Sequence, residues 1–178
     1  LSIILPQNVE TIGAYAFNGC INLESIVLPE GLKKIENGNS GADINGQYYG
    51  NAGSFSNCSS LKSVLFPSTL EGVGNYAFYG CNRLQKVEFK EGATYVGSYA
   101  FASCSSLNDL TLPNSLKNIE EAAFIYCTSL RNITIPEGVT SIGYRYANNG
   151  SGVFAYCSSL RQITLPKGLQ EICQGTFY

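Results

Sequence analysis

The chain contains no histidine, methionine or tryptophan among its 178 residues. Without histidine there is no Ser–His or Cys–His pair, and such pairs are the commonest way to activate a protein nucleophile. A zinc site is disfavoured as well, because the cysteines lack paired C-x₂₋₄-C spacings and no histidine can complete a ligand set. We therefore expect no catalytic residues, no metal site and no cofactor.

Charge is also scarce. Charged residues make up 13% of the chain, and 11 basic against 13 acidic residues leave a net charge of −2. No cluster of lysine and arginine occurs, so we expect no nucleic-acid partner and no polybasic membrane anchor. No run of about 18 apolar residues occurs, so we expect no direct insertion into a membrane. Hydrophobic residues reach 44%, which is enough for a continuous core.

An internal repeat dominates the sequence. Phenylalanine recurs at steps of 38, 23, 23, 23, 30 and 23 residues, and a cysteine and then a leucine follow at intervals of three. All six prolines fall in one column, which only Lys90 interrupts. The phenylalanine column consists of Phe17, Phe55, Phe78, Phe101, Phe124, Phe154 and Phe177.

Each unit predicts one short strand followed by a turn. Ile26 and Leu28, with their equivalents in other repeats, alternate with polar or small residues, as in a strand with one buried face. Proline then ends the strand, because it cannot donate to the ladder. The Ala-Phe-x-x-Cys arc is too short for a helix and predicts a helical or 3₁₀ turn. One unit cannot bury its apolar edge alone, so the units must stack into a solenoid with a buried phenylalanine column.

The unit A-F-x-x-C-x-x-L-x-x-I-x-L-P-x-x-L-x-x-I is intact from Ala100 to Ile119 and from Ala123 to Ile142. It resembles the BspA-like class of leucine-rich repeats. We therefore expect residues 1–178 to form one leucine-rich-repeat solenoid of about seven repeats, part of a longer array. The expected fold is a right-handed superhelix with a parallel β-sheet of short strands on its concave side and turns or 3₁₀ segments on the other side.

Function is predicted mainly from that resemblance. Members of the class are mostly bacterial surface proteins, and several are adhesins for host matrix proteins. The resemblance implies a cell-surface or secreted chain that binds a host or neighbouring surface protein without catalysis. Two alternatives stay open: a structural spacer in a multidomain surface protein, and a module that interacts with carbohydrate.

Six of the seven cysteines share one column. Parallel side chains on one face of a ladder rarely meet disulfide geometry, so we favour buried free thiols that act as small hydrophobic groups. Cys173 stands outside the column, where other repeats carry glycine. It is the best candidate for an exposed thiol, and a packed thiol is the alternative. The column consists of Cys20, Cys58, Cys81, Cys104, Cys127 and Cys157.

Two insertions interrupt the repeat at the same place in the unit, so we expect both to emerge from one edge. The first adds fifteen residues near 37–51, and the second adds seven near 144–150. Both are rich in Gly, Asn and Tyr, a mixture that suits binding loops, although tolerated surface insertions are an equal alternative. Their candidate partner-binding residues are Tyr48, Tyr49, Tyr144, Arg145 and Tyr146, and the four tyrosines would also serve as sugar-stacking platforms.

A second departure lies in the outward-facing position of the strand. This column begins with Ile4, Val27 and Leu65, continues with Glu88, and ends in threonines. Its first three members are apolar where water is expected, which predicts either a contact surface for a protein partner or coverage by neighbouring structure. Val27, Leu65 and Glu88 are therefore further candidate partner-binding residues.

Overall fold

Each repeat contributes one longer and one shorter β-strand to a stack of coils. The computed structural model describes residues 1–42, 48–143 and 152–178, with the side chains of 1–39, 52–143 and 152–178. Within these ranges no residue is helical. The strands are β1 (Ser2–Ile4), β2 (Thr11–Ile12), β3 (Ser25–Val27), β4 (Lys34–Ile35), β5 (Asn39–Ala42), β6 (Tyr48–Ala52), β7 (Ser63–Phe66), β8 (Gly72–Val73), β9 (Lys86–Phe89), β10 (Tyr95–Val96), β11 (Asp109–Thr111), β12 (Asn118–Ile119), β13 (Asn132–Thr134), β14 (Ser141–Ile142), β15 (Gln162–Thr164) and β16 (Glu171–Ile172).

The longer strands form the predicted parallel face. Strands β1, β3, β7, β9, β11, β13 and β15 follow one another along the stack, and we call this face the long-strand sheet. Its register matches equivalent repeat positions, so that Leu65 lies opposite Glu88 and Glu88 lies opposite Thr111. Equivalent side chains therefore stand in rows along the stack. This confirms the strand predicted around Ile26 and the parallel sheet predicted from stacking.

A second parallel sheet was not predicted. Strands β2, β4, β8, β10 and β12 pair in order, and β14 pairs with β16. Each has only two residues, which is too short to show a period-two pattern. In the second repeat, the apolar residues of this part of the unit are Leu32 and Ile35. Both are fully buried, and Ile35 lies opposite Val73 of the next coil.

The Ala-Phe-x-x-Cys arcs are hydrogen-bonded turns and form a third ladder along the stack. The Cys81 N–H donates to the Phe78 carbonyl at 3.2 Å, which closes the turn. The Phe78 N–H donates across to the Ala100 carbonyl at 2.7 Å, and the Gly80 N–H donates to the Ala102 carbonyl at 2.9 Å. The predicted turn is thus confirmed, and its backbone groups are satisfied by the adjacent coil.

One position in every turn has a left-handed backbone, which the sequence did not reveal. It lies two residues after each phenylalanine from Phe17 to Phe154, and φ there ranges from 59° to 71°. Because a Cβ crowds the backbone in this region, glycine is the least costly occupant and asparagine is tolerated better than most other residues. The occupants are Gly19, Asn57, Gly80, Ser103, Tyr126 and Tyr156.

The phenylalanine column is a continuous stack, as predicted, and it is buried from Phe55 to Phe154, whereas Phe17 is half-buried and Phe177 is exposed. Phe55 and Phe78 lie with ring centroids 4.9 Å apart and planes at 10°, and Phe101 and Phe124 lie 5.5 Å apart at 2°. Phe66 meets Phe78 edge-on at 5.6 Å from the strand side. Dispersion between these rings extends through the core and ties each coil to the next.

The first insertion begins as an antiparallel hairpin of β5 and β6, with an irregular register between Ser40 and Ala42. Hydrogen bonds connect the base of this hairpin to the neighbouring coils of the solenoid. The Gly38 N–H donates to the Asn75 carbonyl at 2.7 Å, and the Tyr15 hydroxyl donates to Asn39 Oδ1 at 2.6 Å. A Cβ at Gly38 would lie 1.9 Å from the Ala52 carbonyl oxygen, so glycine is required for this close approach. The second insertion, 144–150, lies outside the described residues.

Candidate recognition surface

Three apolar side chains lie exposed in one row on the long-strand sheet. Ile4 is opposite Val27 in the register of β1 and β3, and β7 with Leu65 lies against β3. The exposed fractions are 74% for Ile4, 51% for Val27 and 48% for Leu65. We call these three residues the apolar strip. Its exposure confirms the outward orientation predicted for this column.

Ion pairs border the apolar strip on both sides. At the start of the strands, Lys62 Nζ lies 2.5 Å from Glu24 Oε2. At the end of the strands, the Lys90 ammonium donates to the Glu30 carboxylate across the intervening repeat. Between these pairs, a shallow groove beside Val27 is lined by Leu65, Pro67 and Glu30.

A third ion pair lies at the end of the strip and includes the predicted residue Glu88. Its Oε2 lies 3.0 Å from Lys86 Nζ, and Lys86 also lies 3.8 Å from Asp109 Oδ2. The register places Glu88 beside Leu65, so the structure brings Val27, Leu65 and Glu88 together as the sequence predicted. The Glu88 carboxylate is already engaged by a cation within the chain.

The electrostatics of this border follow from its pairing. The hydrogen bond from Lys62 lowers the pKa of the Glu24 carboxyl, and the hydrogen bond from Lys90 lowers that of Glu30. The hydrogen bond to Glu88 raises the pKa of Lys86. Each pair joins opposite charges, so the charges of Glu24, Glu30 and Glu88 are each compensated locally.

The ion pairs of this border could not be predicted from the sequence. Glu30 and Lys90 are 60 residues apart, and the first insertion lies between them. One signal was available, because Lys90 is the single interruption of the proline column. A lysine at that position extends from the end of its strand along the stack, which proline cannot do.

The other predicted binding residues are placed differently. Tyr48 and Tyr49 lie in β6 of the hairpin, and their side chains are outside the described set. Tyr144, Arg145 and Tyr146 also lie outside the described residues. Their role remains a prediction.

The cysteine column is free of disulfides, as predicted, and it is buried except for Cys20, which is half-buried. It is also more than an apolar ladder. From Cys58 onward each thiol in the column donates to a phenylalanine carbonyl of the preceding repeat, as in Cys81 to Phe55 at 3.1 Å. Burial raises the pKa of Cys157 to about 11. Cys173 is only 8% exposed, so of the two alternatives the packed thiol is the one that the structure has, and the exposed thiol is not. Cys173 packs beside Gly143 at the end of the second parallel sheet. A Cβ added at Gly143 would lie 3.1 Å from Cys173 Cβ.

The described residues contain neither a cluster of metal-binding side chains nor a membrane-spanning helix. No group of three or more Cys, Asp or Glu side chains among them is arranged to hold a metal ion. Within the same ranges, no helix has the length and apolar character needed to cross a bilayer.

The stacked coils and their two parallel sheets define a leucine-rich-repeat solenoid. A family model described as "BspA type Leucine rich repeat region" matches six copies, over residues 1–39, 51–149 and 145–178. The chain belongs to the BspA-type leucine-rich repeat family. Proteins with such repeats are generally non-enzymatic and mediate protein interactions.

Solved structures show the same fold. A leucine-rich repeat protein from T. pallidum is 25% identical with a TM-score of 0.77, covering 99% of this chain and 78% of that one. A leucine rich cell surface protein from Faecalibacterium prausnitzii is 31% identical with a TM-score of 0.62, covering 96% and 37% respectively. A leucine-rich repeat protein from Bacteroides ovatus is 33% identical with a TM-score of 0.63, covering 96% and 44%. Sequence comparison with curated proteins gives no match.

Proposed function

We propose that this chain is a non-enzymatic protein-recognition module of a bacterial cell-surface or secreted protein, and that the apolar strip is its contact surface. The observation that carries the proposal is the exposure of Ile4, Val27 and Leu65 in one row on a rigid sheet. Contiguous exposed apolar side chains on a folded surface are typical of protein contacts. An adhesin-like role fits this arrangement.

The border of the strip defines the chemistry of the partner. Glu24, Glu30 and Glu88 are each paired with a lysine of this chain, so the charges next to the strip are balanced, whereas Asp109, which shares Lys86 with Glu88, lies one strand further along. A partner that buries the strip must therefore present an apolar centre with a polar, weakly charged rim. We expect its affinity to depend little on salt, since no net charge is neutralised on binding.

The cell-surface location draws support from the comparisons. The F. prausnitzii protein that is 31% identical is described as a cell surface protein. This chain spans 37% of that protein and 44% of the B. ovatus protein, so the activity of a longer parent protein is part of the proposal.

The absence of catalysis is also proposed on chemical grounds. The chain has no histidine, and its buried thiols have raised pKa values at Cys104, Cys127 and Cys157, so that they are poor nucleophiles at neutral pH.

The experiment is a binding array of purified host matrix proteins probed with the wild-type chain and with V27D/L65D. The matched control is T134D/T164D, which adds the same two charges at equivalent positions further along the sheet. We expect at least one matrix protein to bind the wild type and the control but not V27D/L65D. Binding that survives in V27D/L65D would place the contact elsewhere. An array without any bound protein would contradict the adhesin-like role and favour a spacer, whereas binding only on a parallel glycan array would favour a carbohydrate module.

A further inference from the structure

Two arginines stand side by side on neighbouring strands of the long-strand sheet. The Arg161 N–H donates to the Arg131 carbonyl at 2.8 Å, which fixes the two residues at adjacent positions of the ladder. Both are exposed. Neighbouring strands are about 4.8 Å apart, so two guanidinium groups of the same charge share one stretch of surface. Like charges placed next to each other across a sheet are unfavourable.

At the other end of the molecule, the same column contains two residues of opposite charge. There it holds Glu24 and Lys62, whose side chains pair at 2.5 Å. Arg131 and Arg161 have no ion pair with any carboxylate among the described residues. The acidic residue on the adjoining strand, Asp109, lies 3.8 Å from Lys86 Nζ. The arginine pair therefore retains positive charge that this part of the chain does not balance.

Hydrogen-bonding groups lie beside Arg131, whereas Arg161 borders a concavity that Phe154, Leu160 and Tyr178 also line. A concavity beside Arg131 is lined by Asn108, Ser129, Asn132 and Ser159. Asn132 also lines a second concavity on the sheet face, where Thr111, Thr134, Gln162 and Thr164 supply hydroxyl and amide groups. Neither lining contains a carboxylate or any of the large apolar side chains that are exposed on the described surface.

We propose that Arg131 and Arg161 bind the carboxylate or sulfate groups of an acidic polysaccharide. Guanidinium groups match planar carboxylates and sulfate oxygens through paired N–H donors. The adjoining amides and hydroxyls are suited to sugar hydroxyl groups. A protein contact of high affinity would instead centre on large exposed anchors such as aromatic side chains, and neither of these two concavities contains an aromatic residue.

This site is separate from the apolar strip in position and in ligand. Strand β13 lies three strands beyond β7, which places Arg131 roughly 14 Å along the stack from the strand of Leu65. The net charge of the chain is −2, so general attraction to polyanions is disfavoured and binding must come from a local site.

The test measures binding of the wild-type chain to polygalacturonate (a uronate polymer), dextran sulfate, neutral dextran and poly-glutamate by biolayer interferometry. We expect the wild type to bind at least one acidic polysaccharide and neither neutral dextran nor poly-glutamate. R131Q/R161Q should weaken that binding by about tenfold to hundredfold. R131K/R161K should retain part of it, because charge is kept while the paired donor geometry is lost.

The matched control is K33Q/K117Q, which removes two positive charges from one column beside the shorter strands. Equal weakening by this control would show general polyanion attraction and overturn the proposal. Failure of the wild type to bind either acidic polymer, or equal binding to poly-glutamate, would overturn it as well. Folding is checked by thermal melting. R131Q/R161Q should melt no lower than the wild type, since it removes a repulsion.

Discussion

The thiol of Cys104 donates a hydrogen bond to the carbonyl oxygen of Phe78 in the preceding repeat, with an Sγ–O distance of 3.2 Å. The same carbonyl accepts the N–H of Cys81 at 3.2 Å within its own turn. Each phenylalanine carbonyl from Phe17 to Phe124 is thus shared between its own turn and the next coil. The recurrent cysteine joins the coils through a donor as well as through packing.

Replacing Cys104 by serine or by alanine tests whether its thiol acts as a hydrogen-bond donor or only fills apolar space. If the Cys104 thiol served only as a small hydrophobic group, C104S would be less stable than C104A by about 1–3 kcal/mol, because a buried hydroxyl without a partner is costly. Because the Phe78 carbonyl is available as a partner, we expect C104S to be at least as stable as C104A. Urea unfolding of both variants measures the difference. A clearly less stable C104S would contradict the role of the donor.

The reactivity of the thiols should be low in the folded protein. Burial raises the pKa of Cys157 to about 11 and raises that of Cys104 and Cys127 as well. At pH 8 the thiolate fraction of these groups is small, so alkylation is slow. A thiol titration of the native protein should show slow reaction of Cys81, Cys104, Cys127 and Cys157, whose pKa values are raised by burial, and all seven groups should react quickly in denaturant. Six or seven fast groups in native buffer would show that the column is accessible.

The parts of this fold that repeat along the chain could be predicted, and the parts that depend on contacts between repeats could not. The alternation at Ile26 and Leu28 predicted the long-strand sheet, because a half-buried strand leaves a period of two. The two-residue strand at Ile35 leaves no such period. The apolar strip was visible as three aligned apolar residues, whereas its ion-pair border depends on side chains that meet across repeats, such as Lys90 and Glu30.

The left-handed position at Ala122 predicts an unusual response to glycine. Ala122 is buried with φ at 52°, whereas the adjacent Ala123 is equally buried and has no positive φ. Replacing a buried alanine by glycine normally costs about 1 kcal/mol. At Ala122 the relief of backbone strain, about 1–2 kcal/mol, should offset that loss. We expect A122G to be within about 0.5 kcal/mol of the wild type and A123G to be destabilised by about 1 kcal/mol or more. Equal losses in chemical denaturation would contradict the strain argument.

Stability should fall in acid through the exposed carboxylates that accept hydrogen bonds between repeats. Backbone N–H groups of Asn114 and Ser115 lower the pKa of Glu91 below its ordinary value of 4.5. A carboxyl whose pKa is lower in the folded state stabilises the fold above its unfolded pKa, and this contribution disappears as pH falls through the folded value. Urea midpoints should therefore be flat near neutral pH and decrease below about pH 4.5. E91Q should show a shallower decrease, and an identical profile would exclude a contribution from Glu91.

The central claim is that the apolar strip binds a protein partner, and the affinity of a matrix protein for strip variants tests it most directly. The dissociation constant of V27S/L65S is measured beside T134S/T164S, which makes the same number of changes in the same column. Burial of two aliphatic side chains predicts that V27S/L65S binds roughly tenfold to hundredfold more weakly, while the control and the wild type bind alike. Equal affinity of V27S/L65S and the wild type would contradict the claim.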